Sequence, residues 1–396
     1  MKKYNLYVVL LLFVLVSCKN KKVESGKSLS IIDNVSEQYT YLYENAIPFL
    51  DTDKPMPRTI VDGKLHMVDI YDWTSGFHPG SMWNLFALTK NDEWKNRATS
   101  YTELLDTLQY WEGTHDLGFM MGNSYGNALK YGNNEDYEKV IVQAAKSLST
   151  RFKPKAGIIQ SWESNSRWQC PVIIDNMMNL EMLFEATKIS GDSTFYNIAV
   201  THADTTMAKH FRDDFSSYHV LDYNTETGEV LKRNTAQGYN DDSAWARGQA
   251  WGLYGFIVVY RETRDQKYLE QAKNIAGFIM NHPNLPKDKI PYWDYNAPVT
   301  EETPRDASAA AITSSALYEL STFVDDELKE VCIGEANLIL ESLCHKPYLA
   351  EIGSNEGFLL KHATGHLPDD SEIDVPINYA DYYFLEALIR QRDMVK

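Results

Sequence analysis

The sequence predicts an all-α protein, a single (α/α)6 barrel of six inner and six outer helices. Three observations lead there. Apolar residues recur at helical spacing almost without interruption from about residue 31 onward. The helical stretches pair off, one member apolar on several faces and its partner amphipathic. The pairs return at a coarse spacing of roughly 50–60 residues without repeated sequence. Twelve such stretches in six pairs close a toroid. An open α-solenoid is the rival arrangement, but it would show recurring consensus positions and none is visible.

The chain begins with a segment that does not belong to the barrel. Lys2 and Lys3 form a positive n-region, and Leu6 to Val16 form an apolar stretch too short to span a membrane. It ends in Leu15-Val16-Ser17-Cys18, which resembles a bacterial lipobox. By that resemblance residues 1–18 are a lipoprotein signal peptide and Cys18 carries the lipid. The mature protein is then expected in the cell envelope, facing the periplasm and touching membrane only through its anchor. An ordinary cleaved signal peptide is the alternative. Residues 19–30 are polar and read as a tether, and 31–396 as one catalytic domain.

Within the domain, helices are expected at 32–48, 79–89, 92–111, 123–132, 135–152, 175–190, 192–212, 243–263, 265–282, 306–323, 326–344 and 376–392. Caps mark several starts: Asn91-Asp92, Asn134-Glu135, and Gly191-Asp192 between two helices. AWARGQAWGLYGFIVVY (244–260) typifies the helices buried on both sides, and YLEQAKNIAGFIM (268–280) the half-exposed ones. Four connections are long: 49–78, 213–242, 283–305 and 345–375. The second carries Thr225-Glu226-Thr227-Gly228, a hairpin turn. Long loops in a compact domain tend to be functional, and in a helical barrel they gather at one end.

Composition narrows the function. A hydrophobic content of 44% excludes disorder, and 9 Trp with 25 Tyr offer flat amphipathic surfaces suited to sugar rings. A net charge of −17 excludes a nucleic-acid partner and gives no global steering of anions. Cys170, Cys332 and Cys344 contain no CxxC pair and indicate neither a metal site nor a disulfide framework; Cys332 and Cys344 could pair or remain free. No HExxH zinc pattern is present, and no metal or other cofactor is expected. His202 and His210 are read as structural.

Four loop-to-helix junctions combine polar and aromatic residues: Trp73–Gly80, His115–Phe119, Trp162–Asn176, and His219 with Gln237 through Trp251. Asp175 ends the apolar run Val172-Ile173-Ile174 and opens a helix. A carboxyl there can be dehydrated, which raises its pKa toward that of a proton donor at neutral pH. It can equally be an N-cap. Asp116 supplies a second carboxyl, and glycosyl chemistry commonly uses two with aromatic platforms beside them. His115, Arg247 and Trp251 have equally ordinary readings as core or ion-pair residues. Their joint placement at successive helix starts favours function.

The order WTSGFHPG, THDLGF, IIDNMMN, RDDFSSYH and QGYNDDSAWARGQAWGLYGF, spread over about residues 35 to 390, resembles the unsaturated glucuronyl hydrolases, glycoside hydrolase family 88. The resemblance implies an (α/α)6 barrel that releases 4,5-unsaturated uronic acid from the non-reducing end of lyase-generated glycosaminoglycan oligosaccharides by hydrating the C4=C5 enol ether. Carried over by motif, Asp175 is the acid/base. Asp116 is the neighbouring carboxylate, which holds substrate hydroxyls and keeps Asp175 protonated by like-charge repulsion. His219, Gln237 and Arg247 contact the unsaturated sugar, Arg247 suiting its carboxylate. His115 is a further contact, and Trp73, Trp162 and Trp251 are ring platforms. Apart from the motifs, the loop 345–375 offers Ser354, Asn355, Lys361 and His362 as candidates to face a leaving sugar. The sister activity on unsaturated rhamnogalacturonan fragments is the nearest competitor, and a surface lipoprotein that only binds glycans is a third reading. Retention of both aspartates argues against the last. Sulfation and linkage preference and oligomeric state are not legible in the residues.

Overall fold

The structure, a computed structural model, describes residues 24–394. Helices alternate between an outer and an inner ring. α1 (Glu24–Ala46) lies outside, α2 (Phe77–Thr89) inside and α3 (Asp92–Glu103) outside. The π-helical segments Gly118–Gly126 and Ala128–Gly132 are inner, and α4 (Tyr137–Ser149) is outer. The 3-10 turn Ile174–Asn179 leads into the inner α5 (Leu180–Ser190), with α6 (Ser193–Lys209) outside. α7 (Ala246–Thr263) and α8 (Gln266–Asn281), α9 (Ala307–Leu320) and α10 (Asp326–Leu343), and the inner α11 (Asn378–Met394) complete the set. Each inner helix packs on the next, and α11 packs on α2 as well as on α9, so the ring closes. That contact is what separates a barrel from a solenoid.

The inner and outer helices differ as their sequences require. Every residue of α7 from Ala246 to Val259 is buried, because other helices and the barrel interior surround it. α8 buries only one stripe, including Tyr268, Leu269, Ala272, Ile275 and Ile279. Two of the three expected caps form: the Asn91 side chain accepts from Glu93 N and that of Asp192 from Thr194 N. At the third, α4 starts later than Asn134-Glu135 predicts, with Asp136 at its N-cap and no side-chain cap. Cys170 and Cys332 are free thiols buried in the core.

Four boundaries differ from expectation by more than a helical turn. The helix expected from 175 begins at Leu180, and Asp175 lies in the 3-10 turn before it. α1 begins at Glu24, so the helix takes in part of the stretch 19–30 read as a tether. The helix expected over 92–111 ends at Glu103, and Asp106–Tyr110 tightens into a 3-10 turn. The helix expected from 123 begins at Gly118 and is π-helical, a wider coil often found at functional sites. Residues 1–18, with the expected signal peptide and Cys18, lie outside the described residues.

Short β-elements stand at the ends of the barrel. β1 (Met56–Val61) pairs with β2 (Lys64–Val68), and β3 (Phe152–Lys153) with β4 (Ile158–Ile159). β5 (Pro171–Ile173) joins the expected hairpin of β6 (Val220–Tyr223) and β7 (Val230–Asn234) in a three-stranded sheet. Gly228 turns that hairpin at φ +77°, where a Cβ would meet the Lys155 carbonyl oxygen at 2.5 Å. β8 (Ala363–His366) pairs with β9 (Ser371–Val375). The antiparallel register sets Ile173 opposite Val220, and Ile174 N donates to His219 O at 3.2 Å. This pairing brings His219 beside Asp175.

Candidate active site

The functional side chains sit where the chain enters the inner helices. Asp116 immediately precedes the Gly118 helix, Asp175 lies in the turn before α5, Arg247 opens α7, and Tyr379 opens α11. Gly118 lets two of these entries touch: a Cβ there would lie 2.4 Å from Asn179 Cα. The Asn179 side chain in turn accepts from Phe119 N at 3.0 Å. The glycine of the THDLGF motif is thus a close-approach residue between neighbouring inner helices.

Asp175 caps nothing: no side-chain cap opens the turn Ile174–Asn179. Its residue exposure is 7%, and its Oδ2 is buried without a hydrogen-bond partner. Burial pushes this carboxyl up to about 7; the nearby Arg247 guanidinium opposes the rise and Asp116 adds to it. Dehydration, rather than repulsion by Asp116, is the leading cause. Trp251 also favours the carboxylate, since its indole N–H lies close to Asp175 although it completes no well-formed hydrogen bond. Asp116 is likewise pushed up to about 7, again by burial first, and its side chain keeps 15% exposure. Two coupled carboxyls of similar affinity titrate as a pair.

Two histidines flank them. His219 Nδ1 accepts from Ala236 N at 3.0 Å and Gln237 N at 3.1 Å, so its proton sits on Nε2. That Nε2 faces Asp175 Oδ2 at 3.9 Å, too long for a hydrogen bond, and has no other partner. Burial holds this ring well below the usual histidine range, so it is a neutral donor. His115 Nε2 lies 3.3 Å from Asp116 Oδ1.

The remaining predicted residues divide. Trp73 and Gln237 line a pocket of about 280 Å³ with Arg58, His366, Glu372 and Tyr379. Trp73 is partly exposed and packs on Tyr379 with ring centroids 5.1 Å apart, as a platform requires. Trp162 is partly exposed against Trp168, 5.3 Å away, and their cluster includes Ala236 beside Gln237. Trp251 is not a platform. It is fully buried, with Phe119 and Tyr383 against its ring at 5.1 and 5.3 Å, and offers only its N–H edge. Arg247 is enclosed as well: its guanidinium binds Asp306 Oδ2 at 2.9 Å, Thr364 O at 2.5 Å and Gly365 O at 2.6 Å. Only Nε remains without a partner. Its direct role is therefore to hold the start of the β8–β9 hairpin and to place a positive charge near Asp175, not to fork onto a substrate carboxylate. Ser354 and Asn355 do not face the site; Gln38 of the outer helix α1 binds Ser354 O, and Asn355 bonds back to Phe358 O and Leu360 O. His362 pairs with Asp374 at 2.6 Å.

Arg58, Tyr379 and His366 were missed by sequence reasoning. Tyr379 obeys the same rule as the others, an aromatic in the first turn of an inner helix, and that signal could have found it. Arg58 forks onto Glu372 at 2.6 and 2.9 Å, a pairing of residues 314 apart that no local pattern reveals. A cavity of about 620 Å³ lies elsewhere, toward the far ends of the inner helices, among Arg261, Glu386 and Arg390. Those groups pair largely with one another and with Glu181 and Glu319, and none of the predicted site residues lines that space. The chemistry is at the other end.

No family model matches the chain. It is 43% identical over 400 aligned residues to an unsaturated glucuronyl hydrolase of Formosa agariphila, covering 98% of each protein. It is 32% identical to an unsaturated chondroitin disaccharide hydrolase of Streptococcus pneumoniae, covering 93% of this chain and 92% of that one. A solved unsaturated glucuronyl hydrolase specific for heparin superposes with a TM-score of 0.89 at 45% identity, covering 94% of this chain and 98% of that one.

Proposed function

We infer the chemistry of the site from one premise: the chain belongs to the unsaturated glucuronyl hydrolases. It is a glycoside hydrolase that acts on unsaturated oligosaccharides by releasing the 4,5-unsaturated uronic acid of the non-reducing end. The reaction is hydration of an enol ether. In the mechanism proposed, Asp175 gives its proton to C4, and positive charge spreads over C5 and the ring oxygen. Water adds at C5 and returns a proton to the Asp175 carboxylate. The C5 hemiketal opens, leaving a hemiacetal at C1 that expels the remaining saccharide. One carboxyl serves as acid and then base. Since neither carboxyl is a nucleophile, the spacing rule for retaining and inverting enzymes does not apply.

The observation that carries this assignment is the state of Asp175: dehydrated, near neutrality in proton affinity, with one oxygen free of hydrogen bonds. His219 Nε2–H is a neutral donor next to it, fit for a substrate oxygen. Gln237 and Trp73 line the adjoining pocket, and in this reading the Trp73 indole is the platform for the sugar plane. The Arg247 charge holds down the Asp175 pKa, so that the acid does not become too weak.

Asp175→Asn is expected to lower kcat by about a thousandfold or more, followed as loss of the ultraviolet absorbance of the conjugated enol ether. Near-native turnover by that variant would remove Asp175 from the mechanism. The substrate class proposed is glycosaminoglycan fragments, supported by the chondroitin and heparin specificities of the relatives. Unsaturated rhamnogalacturonan fragments form the control arm. For location we propose a lipid anchor at Cys18. Cys18→Ala should move the protein from the membrane to the soluble fraction, and an unchanged membrane fraction would refute the anchor.

A further inference from the structure

Behind Asp116 runs a chain of hydrogen bonds whose directions can all be assigned. Asn176 Nδ2 donates to Ile159 O at 2.6 Å and to Ser161 Oγ at 3.2 Å. A carbonyl oxygen only accepts, so the amide nitrogen must lie on that side and Oδ1 must face His115. Asn176 Oδ1 is 2.5 Å from His115 Nδ1. An amide oxygen only accepts too, so the ring donates and Nδ1 carries a proton. Both residues are buried, and burial pushes the His115 imidazole down to about 3, so the ring holds that one proton alone. Its Nε2 lone pair then faces Asp116 Oδ1 at 3.3 Å. Two lone pairs at that distance repel, and the contact is attractive only when Asp116 brings a proton.

We propose that Asn176 is a positioning residue for this reaction: it locks His115 as the Nδ1–H tautomer, so that Asp116 donates a hydrogen bond to Nε2 and is held as the neutral acid. His202 backs the lock, because its Nδ1 accepts from Ile159 N at 3.0 Å and fixes the strand whose carbonyl orients Asn176. Other groups act on Asp116. Thr114 Oγ1 at 3.2 Å, Asn179 and Arg151 favour its carboxylate, while Asp72 opposes it; Asp175 is the carboxyl coupled to it. The His115 lone pair joins Asp72 and burial on the protonated side. With the ring in the other tautomer, Nε2–H would donate to Asp116 and favour the anion. The amide of Asn176 therefore selects which of two electrostatic neighbours the carboxyl has. For the reaction, Asp175 gives up its proton beside a neutral group instead of a second anion, which lowers the cost of ionising it.

The catalytic consequence rests on the reading of Asp116 and Asp175 as the reacting pair; the tautomer does not. The test separates them. Nitrogen NMR of the intact, substrate-free protein carrying 15N-histidine, with His115 assigned by through-bond correlation, should show Nδ1 protonated and Nε2 bare from about pH 5 to 8. A ring protonated on Nε2, or on both nitrogens, overturns the proposal without a variant being needed. Asn176→Ala should release the ring and move the alkaline limb of the kcat/KM profile down by about one pH unit. A uniform loss of rate with the limb unmoved is what mere structural damage gives, and it too overturns the proposal. Failure of Asp175→Asn to lose turnover sinks the hydration mechanism and leaves the NMR result standing.

Discussion

Asp175 and Asp116 are each held neutral by dehydration, which has a thermodynamic signature. Each folded-state pKa, about 7, lies above the ordinary value of 3.8. Between those values the folded state keeps a proton that the unfolded chain has lost, so stability is highest below about 4 and falls as pH rises toward 7. The shift corresponds to roughly 4 kcal/mol per carboxyl as an upper bound. Asp175→Asn should therefore melt several degrees higher than the native protein at pH 8 and at the same temperature at pH 4. Equal Tm differences at both pH values would mean that the carboxyl is hydrated. The same titration appears in catalysis: kcat should fall above about pH 7 as the pair loses its first proton.

At the level of the elements, the entries to the inner helices carry the site and the glycines decide how closely they meet. Gly118→Ala places a Cβ 2.4 Å from Asn179 Cα and 2.7 Å from its Oδ1. The backbone must shift, at a cost of about 1–3 kcal/mol, and kcat should fall with Tm because Asp116 rides on the same turn. Gly277→Ala in α8 meets nothing within 4 Å and should raise stability by about 1 kcal/mol without affecting rate. A Gly118→Ala protein with native kcat would show that the approach does not position Asp116. Arg247 ties α7 to α9 through Asp306 and to the β8–β9 hairpin through two carbonyls. Arg247→Lys cannot reproduce the fork and leaves buried acceptors unpaired. It should lower Tm by an amount equivalent to about 3–5 kcal/mol, and urea denaturation measures it.

For the molecule as a whole, the net charge of −17 opposes the approach of any uronate or sulfated fragment. Raising salt from about 10 to 150 mM shortens the Debye length from roughly 30 to 8 Å. The value of kcat/KM for an anionic disaccharide should rise over that range, while kcat stays level. A monotonic fall would instead indicate local cations that dominate the approach. The closed ring makes stability global as well, since α11 completes both the barrel wall and, through Tyr379, the site.

Helical period, the alternation of buried and amphipathic helices and the motif order determined the fold class, the family and the entry points of the inner helices. Those properties are local: they depend on which residues lie three or four apart and which lead a helix. His219 and Asp175 could be named from their motifs, but their 3.9 Å separation exists only because β5 and β6 pair in one register. Tertiary structure alone buried Trp251 edge-on, spent the Arg247 fork on Asp306 and the hairpin carbonyls, and set Arg58 against Glu372. It also aligned Asn176 between Ile159 and His115. Dehydration and hydrogen-bond direction are properties of a three-dimensional surrounding, and a linear chain states which groups are present without stating which of them water can still reach.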